Sequence, residues 1–206
     1  MQTKGVLVVV SGFSGAGKGT VMKALLEKYD NYALSVSATT RSPRPGEENG
    51  REYFFLTESQ FEDMIRNDEL IEHARYVDHY YGTPKKYVEE KMAAGKDVIL
   101  EIEIQGALNI KKKFPDALLI VPPTAEDLKK RLIGRGTESA EVIEKRLRRA
   151  AEESDGMDSY DYIVVNDDVD TCVEDLHSLI RSSHFKESAN TDLVARMKQE
   201  LHDMTK

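Results

Sequence analysis

Five consecutive apolar positions, Val6-Leu7-Val8-Val9-Val10, follow a short polar lead and run into a glycine-rich turn. An apolar run with no polar alternation predicts a strand covered on both faces, as in a parallel sheet. After the turn the period changes, and Val21, Met22, Leu25, Leu26 and Tyr29 recur at helical spacing. Similar apolar runs return at 97–104, 117–121 and 162–165, with helical patterns between and after them. Val169, Cys172, Val173, Leu176, Leu179 and Ile180 form a one-sided helical stripe. Strands alternating with helices predict an α/β fold with a parallel core sheet and helices on both faces.

Two stretches break this rhythm. Residues 35–84 read as short strands around Tyr53-Phe54-Phe55, Leu70-Ile71-Glu72 and His79-Tyr80-Tyr81, with one helix from Glu58 to Arg66. Turn signals at Pro43, Pro45-Gly46 and Asn49-Gly50 crowd the same stretch, so it reads as a small lobe inserted into the core. Residues 125–155 are helical in pattern and rich in arginine, as expected of a lid. The core then comprises 1–34, 85–124 and 156–206 of a single domain. A last amphipathic helix carries Leu193, Val194, Met197 and Leu201, a face suited to docking or to a homo-oligomer.

Composition narrows the function. The 206 residues carry 29 basic and 37 acidic side chains, a net charge of −8, which argues against a nucleic-acid partner. A single cysteine, Cys172, excludes an intramolecular disulfide framework and fits a reducing compartment. No apolar run approaches the roughly 20 residues that span a bilayer, and no signal-peptide pattern opens the chain, so the expected location is cytoplasmic and no membrane partner is expected. The five histidines are scattered without metal-ligand spacing.

The chemistry begins at Gly12-Phe13-Ser14-Gly15-Ala16-Gly17-Lys18-Gly19-Thr20, which fits G-x-x-x-x-G-K between a strand and a helix. Glycines let successive backbone N–H groups curl around an anion, and the helix N-terminus adds its positive end. Lys18 supplies a mobile charge for the β- and γ-phosphates of a nucleotide such as ATP. The usual loop has Ser or Thr directly after the lysine as a magnesium ligand, whereas here Gly19 stands there and Thr20 follows. Thr20 then binds either phosphate or Mg2+, and the ion is held mainly by phosphate oxygens and water.

A loop of this kind leaves the acceptor open. The segment from Ser35 to Tyr53 contains S-x-T-T-R-x-P-R-x-G-E-x-x-G-x-x-Y, beginning at Ser37, and this resembles the guanylate kinase signature. The resemblance continues through Glu72, Tyr80-Tyr81-Gly82-Thr83, Arg135-Gly136-Thr137-Glu138 and Asn166-Asp167-Asp168, covering roughly residues 5–182. It implies a P-loop nucleoside monophosphate kinase fold, ATP and GMP as substrates and Mg2+ as cofactor. Chemically, Arg41 and Arg44 on a proline-stiffened loop suit a phosphate dianion, and Tyr53 and Tyr81 can each add a phenolic donor. Glu72 would accept both N1–H and the exocyclic amino group of guanine, while adenine would leave it unpaired. The resemblance adds Ser37 and Thr83 to the base contacts.

Glu101 and Glu103 stand two apart in an apolar run, which predicts one strand face at the carboxyl end of the sheet. One is expected to hold water around magnesium and the other to contact guanine or Arg41. Arg131, Arg135, Arg146 and Arg149 lie in the arginine-rich segment, where cations can meet the charge of a transferring phosphoryl group. The resemblance assigns Arg135 and Arg146 to the triphosphate, Arg131 to their support, and Asn166 to the side of the adenine ring. Arg148 and Arg149 read instead as salt-bridged surface, and Asp167 and Asp168 as helix caps. Two other functions fit parts of the pattern: a non-catalytic guanylate-kinase-like binding module, and a P-loop kinase for another monophosphate.

Overall fold

The computed structural model describes residues 4–76, 78–102, 104, 107, 117–134, 136 and 139–205. Strand β1 (Leu7–Ser11) lies at the centre of a five-stranded parallel sheet. Its neighbours are β7 (Asp97–Glu101) and β8 (Ala117–Val121), flanked in turn by β2 (Tyr32–Leu34) and β9 (Tyr162–Val165). The absence of polar alternation in β1 has its expected cause. Val8 and Val10 pack toward Val21, Met22 and Leu25 of helix α1 (Lys18–Lys28) and toward Cys172, Val173 and Leu176. Val9 faces the other way, toward Val88, Val98 and Leu100. Successive strand residues point to opposite faces, so a strand buried on both sides must be apolar throughout.

The second sheet has four strands in the order β4 (Tyr53–Phe55), β3 (Ser37–Thr39), β6 (His79–Pro84), β5 (Leu70–Tyr76). Along β3, β4 and β6 alternation is strict and it divides the lobe. Ala38, Phe54 and Tyr80 gather around Phe61 of helix α2 (Glu58–Arg66). Gly82 lies on that same face, where an added Cβ would come within 3.0 Å of the Phe61 ring. Ser37, Tyr53, Tyr81 and Thr83 alternate with these residues and therefore point to the opposite face. Helix α2 starts on a capping box, Thr57 with Gln60, which satisfies two orphan amides and contributes about 1 kcal/mol.

The arginine-rich stretch forms helices α4 (Ala125–Gly134) and α5 (Ala140–Ser154), following α3 (Lys85–Ala93). Leu128, Leu132 and Ala150 pack on Phe13 and Ala16, which seats this segment against the glycine loop itself. Asp168 caps α6 (Val169–Ser183), accepting from Thr171 N at 2.9 Å. Cys172 is fully buried on α6, and burial pushes its thiol up to about 11, so it is an inert core residue. Helix α7 (Thr191–Asp203) exposes Leu193, Met197 and Leu201. No helix among the described residues is long and apolar enough to cross a membrane.

One expectation needs correction. The apolar run from 97 to 104 is not a single strand: β7 ends at Glu101, and Ile104 is already helical. The cause lies in its neighbours. Glu101 pairs with Val10, after which β1 has one residue left before its turn, and β2 stops opposite Ile99. Ile102 N still donates to Val10 O at 3.1 Å, but no strand pairing goes further among the described residues. Glu103 lies outside the described residues, and with it the expected shared face of Glu101 and Glu103.

Candidate active site

The site lies where strands of the parallel sheet end, outside the carboxyl end of its central strand, the usual place for ligands in open α/β sheets. Gly12 to Gly17 wrap this end. Gly15 and Gly17 take positive φ angles of 97° and 93°, which L side chains adopt only under strain. Gly12 is excluded from substitution for another reason, since an added Cβ would meet the Ile120 carbonyl oxygen at 2.3 Å. Gly19, by contrast, has open space around it. No close approach requires glycine at the position after Lys18.

Two side chains brace the loop from outside. Arg131 Nη1 donates to Ala16 O at 3.1 Å and its Nη2 donates to Asn166 O at 2.6 Å. Asn166 Nδ2 donates to the same Ala16 carbonyl at 2.9 Å, and its buried Oδ1 has no hydrogen-bond partner among the described residues. Pinning this carbonyl fixes the plane of the adjoining peptide, so the Gly17 amide is fixed too. Arg146 reaches across from α5 and donates to Ser14 Oγ at 2.6 Å. Lys18 Nζ donates to Gly12 O at 2.5 Å, and its aliphatic stem lies along the loop. Arg148 pairs with exposed Glu144, as expected of a surface ion pair, whereas Arg149 pairs with Glu153, whose carboxylate is buried, so this second pair is not the surface one expected. Arg135 lies outside the described residues.

These groups line two adjoining cavities. One, of about 240 Å³, is lined by Gly15, Gly17, Thr20, Arg131, Asn166, Asp167 and Val169. The other, of about 160 Å³, is lined by Phe13, Ser14, Gly15, Gly17, Lys18, Gly19 and Glu101. Thr20 and Glu101 thus face different cavities. Replacing Gly17 with alanine should damage this region in two ways, through its φ of 93° and through a Cβ only 2.4 Å from Asn166 Nδ2. The expected cost is about 1–3 kcal/mol of stability, read as a lowered Tm, together with lost ATP binding.

The polar face of the lobe forms the other half. Arg41 lies over the rings of Tyr53 and Phe55, 5.4 and 5.7 Å from their centroids, and the Tyr53 and Tyr81 rings meet edge-on at 6.1 Å. Glu47 grips Arg41 through both oxygens, at 2.9 and 3.0 Å. That ion pair holds the Arg41 guanidinium above its ordinary pKa, and the Tyr81 hydroxyl adds to the same effect. Glu47 falls below the usual carboxylate range, first through Arg41 and then through the Arg44 amide. The guanidinium of Arg44 makes no ion pair among the described residues. Burial raises Tyr53 as well.

Glu72 owes its position to a β-bulge. Leu70 pairs with Pro84 but His73 pairs with Gly82, so two residues, Ile71 and Glu72, oppose the single Thr83. Bulges re-aim side chains. Ile71 enters the core beside Val88, while Glu72 Oε1 accepts from Thr83 Oγ1 at 2.8 Å. Burial raises the pKa of this carboxyl, and the Thr83 hydrogen bond offsets part of the rise. Ser37, one residue before Ala38, and Thr83, one residue after Gly82, lie on the same side of the antiparallel Ala38–Gly82 pair, and Ser37 pairs with Tyr53 on its other side. One face therefore presents, in a row, an arginine–tyrosine cluster and a half-buried carboxylate.

The family model described as guanylate kinase matches residues 4–183. A guanylate kinase of Caldanaerobacter subterraneus subsp. tengcongensis is 48% identical over 202 residues, 97% of this chain and 98% of that one. That coverage and identity decide the matter. The chain belongs to the guanylate kinase family. A guanylate kinase of Lactococcus lactis subsp. lactis is 50% identical over 188 residues, 90% of this chain and 92% of its own. Among solved structures, the guanylate kinase from Anaplasma phagocytophilum superposes with a TM-score of 0.68 at 32% identity, covering 90% of this chain and 89% of that one. Family membership accounts for the sheet, the loop and the lobe appearing together in this order. Glu47 was not among the residues expected at the site. Its signal was present in the sequence, because the motif places a glutamate three residues after Arg44, but only folding brings it onto Arg41.

Proposed function

We propose that this chain is a guanylate kinase that transfers the γ-phosphoryl group of ATP to GMP, giving ADP and GDP. The observation that carries this reading is the Glu72 carboxylate, fixed by Thr83 on the same lobe face as Arg41, Tyr53 and Tyr81. A carboxylate with one oxygen anchored keeps lone pairs for two neighbouring N–H donors, which guanine has and adenine lacks. Its burial makes a mismatch costly, because an ionised group left unpaired there has lost its water.

In this reading the five-stranded sheet is the core, the four-stranded sheet is the acceptor lobe and helices α4 and α5 form the lid. The loop amides and Lys18 hold the donor phosphates, while Arg131 and Asn166 keep the loop in shape beside the purine. Arg41, Arg44, Tyr53 and Tyr81 bind the acceptor phosphate, and Ser37 and Thr83 assist Glu72 at the base. Arg146, joined by Arg135, brings cationic charge to the transferred group, whose loose transition state spreads charge over its oxygens. Positioning and charge then do most of the work, with no strong base required.

Magnesium fits this site in a limited way. The ion would be held chiefly by phosphate oxygens and water, the usual arrangement for magnesium at a nucleotide. Glu101, beside Lys18 and Gly19, is the residue best situated to hold that water, and the ion would offset phosphate charge. Thr20, in the other cavity, suits a phosphate or ribose contact better. The exposed stripe of α7 supports self-association, and the reaction is expected to run in the cytoplasm. A coupled assay of ADP formation across GMP, AMP and dTMP tests the whole reading. Turnover should require magnesium and favour GMP over AMP by about 10⁴ in kcat/KM. Preference for AMP would remove Glu72 from its role, and no turnover with any acceptor would leave a binding module.

A further inference from the structure

Arg41 can grip a phosphate only with donors to spare, and the structure accounts for each of them. Nη1 donates to Glu47 Oε2 at 3.0 Å and to Ser42 O at 2.7 Å, and Nη2 donates to Glu47 Oε1 at 2.9 Å. A guanidinium has five N–H bonds in a fixed plane. The committed ones occupy its end and its Nη1 side. What remains is Nε–H and the outer Nη2–H, parallel along one edge and shared with the Tyr81 hydroxyl, which also bonds this guanidinium; such an edge is the geometry that takes two phosphate oxygens together. Glu47 consumes the end of the fork and presents its side.

The same carboxylate also accepts from the Arg44 amide at 2.7 Å, so it ties the two arginines of the loop to each other. The backbone is shaped for this. Glu47 N donates to Arg44 O at 3.0 Å across Pro45 and Gly46, and Gly46 has a φ of 87°. Proline followed by a left-handed glycine is a type II turn, which folds Glu47 back over Arg44. The Arg41 and Glu47 side chains are only 14% and 17% exposed, and Arg41 rests on Tyr53 and Phe55. Both partners are held from several sides at once.

We propose that Glu47 is a positioning residue for the acceptor monophosphate, fixing Arg41 with its Nε–Nη2 edge outward and holding Arg44 beside it. This rests on the acceptor reading above. Its charge makes the role testable. Glu47 cancels one of the two positive charges offered to a dianion, so if long-range attraction governed binding, removing it would tighten GMP. Orientation predicts the reverse, because an untethered guanidinium must be ordered at the moment of binding.

The experiment compares wild type, Glu47→Gln and Glu47→Asp in the full chain, with titration calorimetry of GMP and of guanosine beside steady-state kinetics. Glutamine keeps one acceptor but turns an amide donor toward Arg41 donors, so it should release the fork. Glu47→Gln is expected to lower kcat/KM for GMP about 100-fold, with kcat falling as well as KM rising, since a misplacement of about 1 Å has that effect. KM for ATP and affinity for guanosine should stay within about twofold, because neither ligand uses the phosphate grip. Glu47→Asp, too short to reach both arginines, should recover part of the loss. GMP binding as tight as wild type or tighter in Glu47→Gln would overturn the proposal. Loss of guanosine together with GMP would also overturn it, as that marks a collapsed lobe. A wild-type protein that binds no GMP at all would remove the acceptor assignment itself.

Discussion

Replacing Glu72 with glutamine should cut kcat/KM for GMP by about 10²–10³-fold while leaving KM for ATP nearly unchanged. The carboxylate offers acceptors to both guanine donors. Glutamine keeps one and sets an N–H₂ group against the other, so a hydrogen bond is lost and a donor is left facing a donor. Discrimination against AMP should shrink by a similar factor. The pH profile gives a second reading. Burial places the Glu72 pKa above its ordinary value of 4.5, and GMP binding needs the ionised form. In wild type, kcat/KM for GMP should fall as pH drops through that raised pKa, and the acid limb should vanish in Glu72→Gln. Stability runs in the opposite sense. A carboxyl whose folded pKa is raised stabilises the fold below its unfolded pKa, and that contribution is lost as pH rises through the folded value. At neutral pH the ionised side chain is therefore a burden on the unliganded protein, and Glu72→Gln should raise Tm while it damages function. A variant with unchanged GMP kinetics would show that the base is read elsewhere.

Substituting methionine for Lys18 should lower kcat by about 10³-fold without weakening GMP binding. Methionine keeps the length of the stem and removes the charge. In the folded chain Lys18 Nζ is tethered to the Gly12 carbonyl, and its stem passes near the position where a Gly12 Cβ would stand. The ammonium is thus held at the mouth of the loop, where phosphate charge would gather. Steady-state kinetics with both substrates, together with GMP calorimetry, separates the two halves of the site. Retention of more than about a tenth of kcat would mean that the loop amides suffice without the lysine. Loss of GMP affinity would mean that the halves are not independent.

The amino-acid order alone determined the elements whose causes are local. Val6 to Val10 had to be a strand buried on both faces, since no position offers a polar side to water. The glycines of the loop announced a backbone that curls, and two of them do take left-handed angles. Helix α2 also has a local cause, since Thr57 and Gln60 form a capping box at its start. Asp168 as a cap and Arg148 as a surface partner follow from spacings of three and four within their own helices, whereas only packing buries Glu153 beneath Arg149. Pro45-Gly46 likewise specifies its own turn.

Tertiary structure decided what depends on partners distant in the chain. The apolar run from 97 suggested one strand as far as 104, but β7 ends at Glu101, where β1 and β2 have nearly run out, and Ile104 is already helical. Arg131 and Asn166 converge on one carbonyl of the glycine loop from 115 and 150 residues away, a meeting no local pattern encodes. Glu72 faces Thr83 because the β5–β6 ladder slips by one residue, and a slip is a property of two strands together. Glu47 sits in plain view of the motif, yet its hold on Arg41 exists only once Tyr53, Phe55 and the turn have closed around the guanidinium. Local sequence sets backbone shape through torsional and capping preferences. Which polar groups meet is set by burial, because each must find a partner wherever the packed chain brings one.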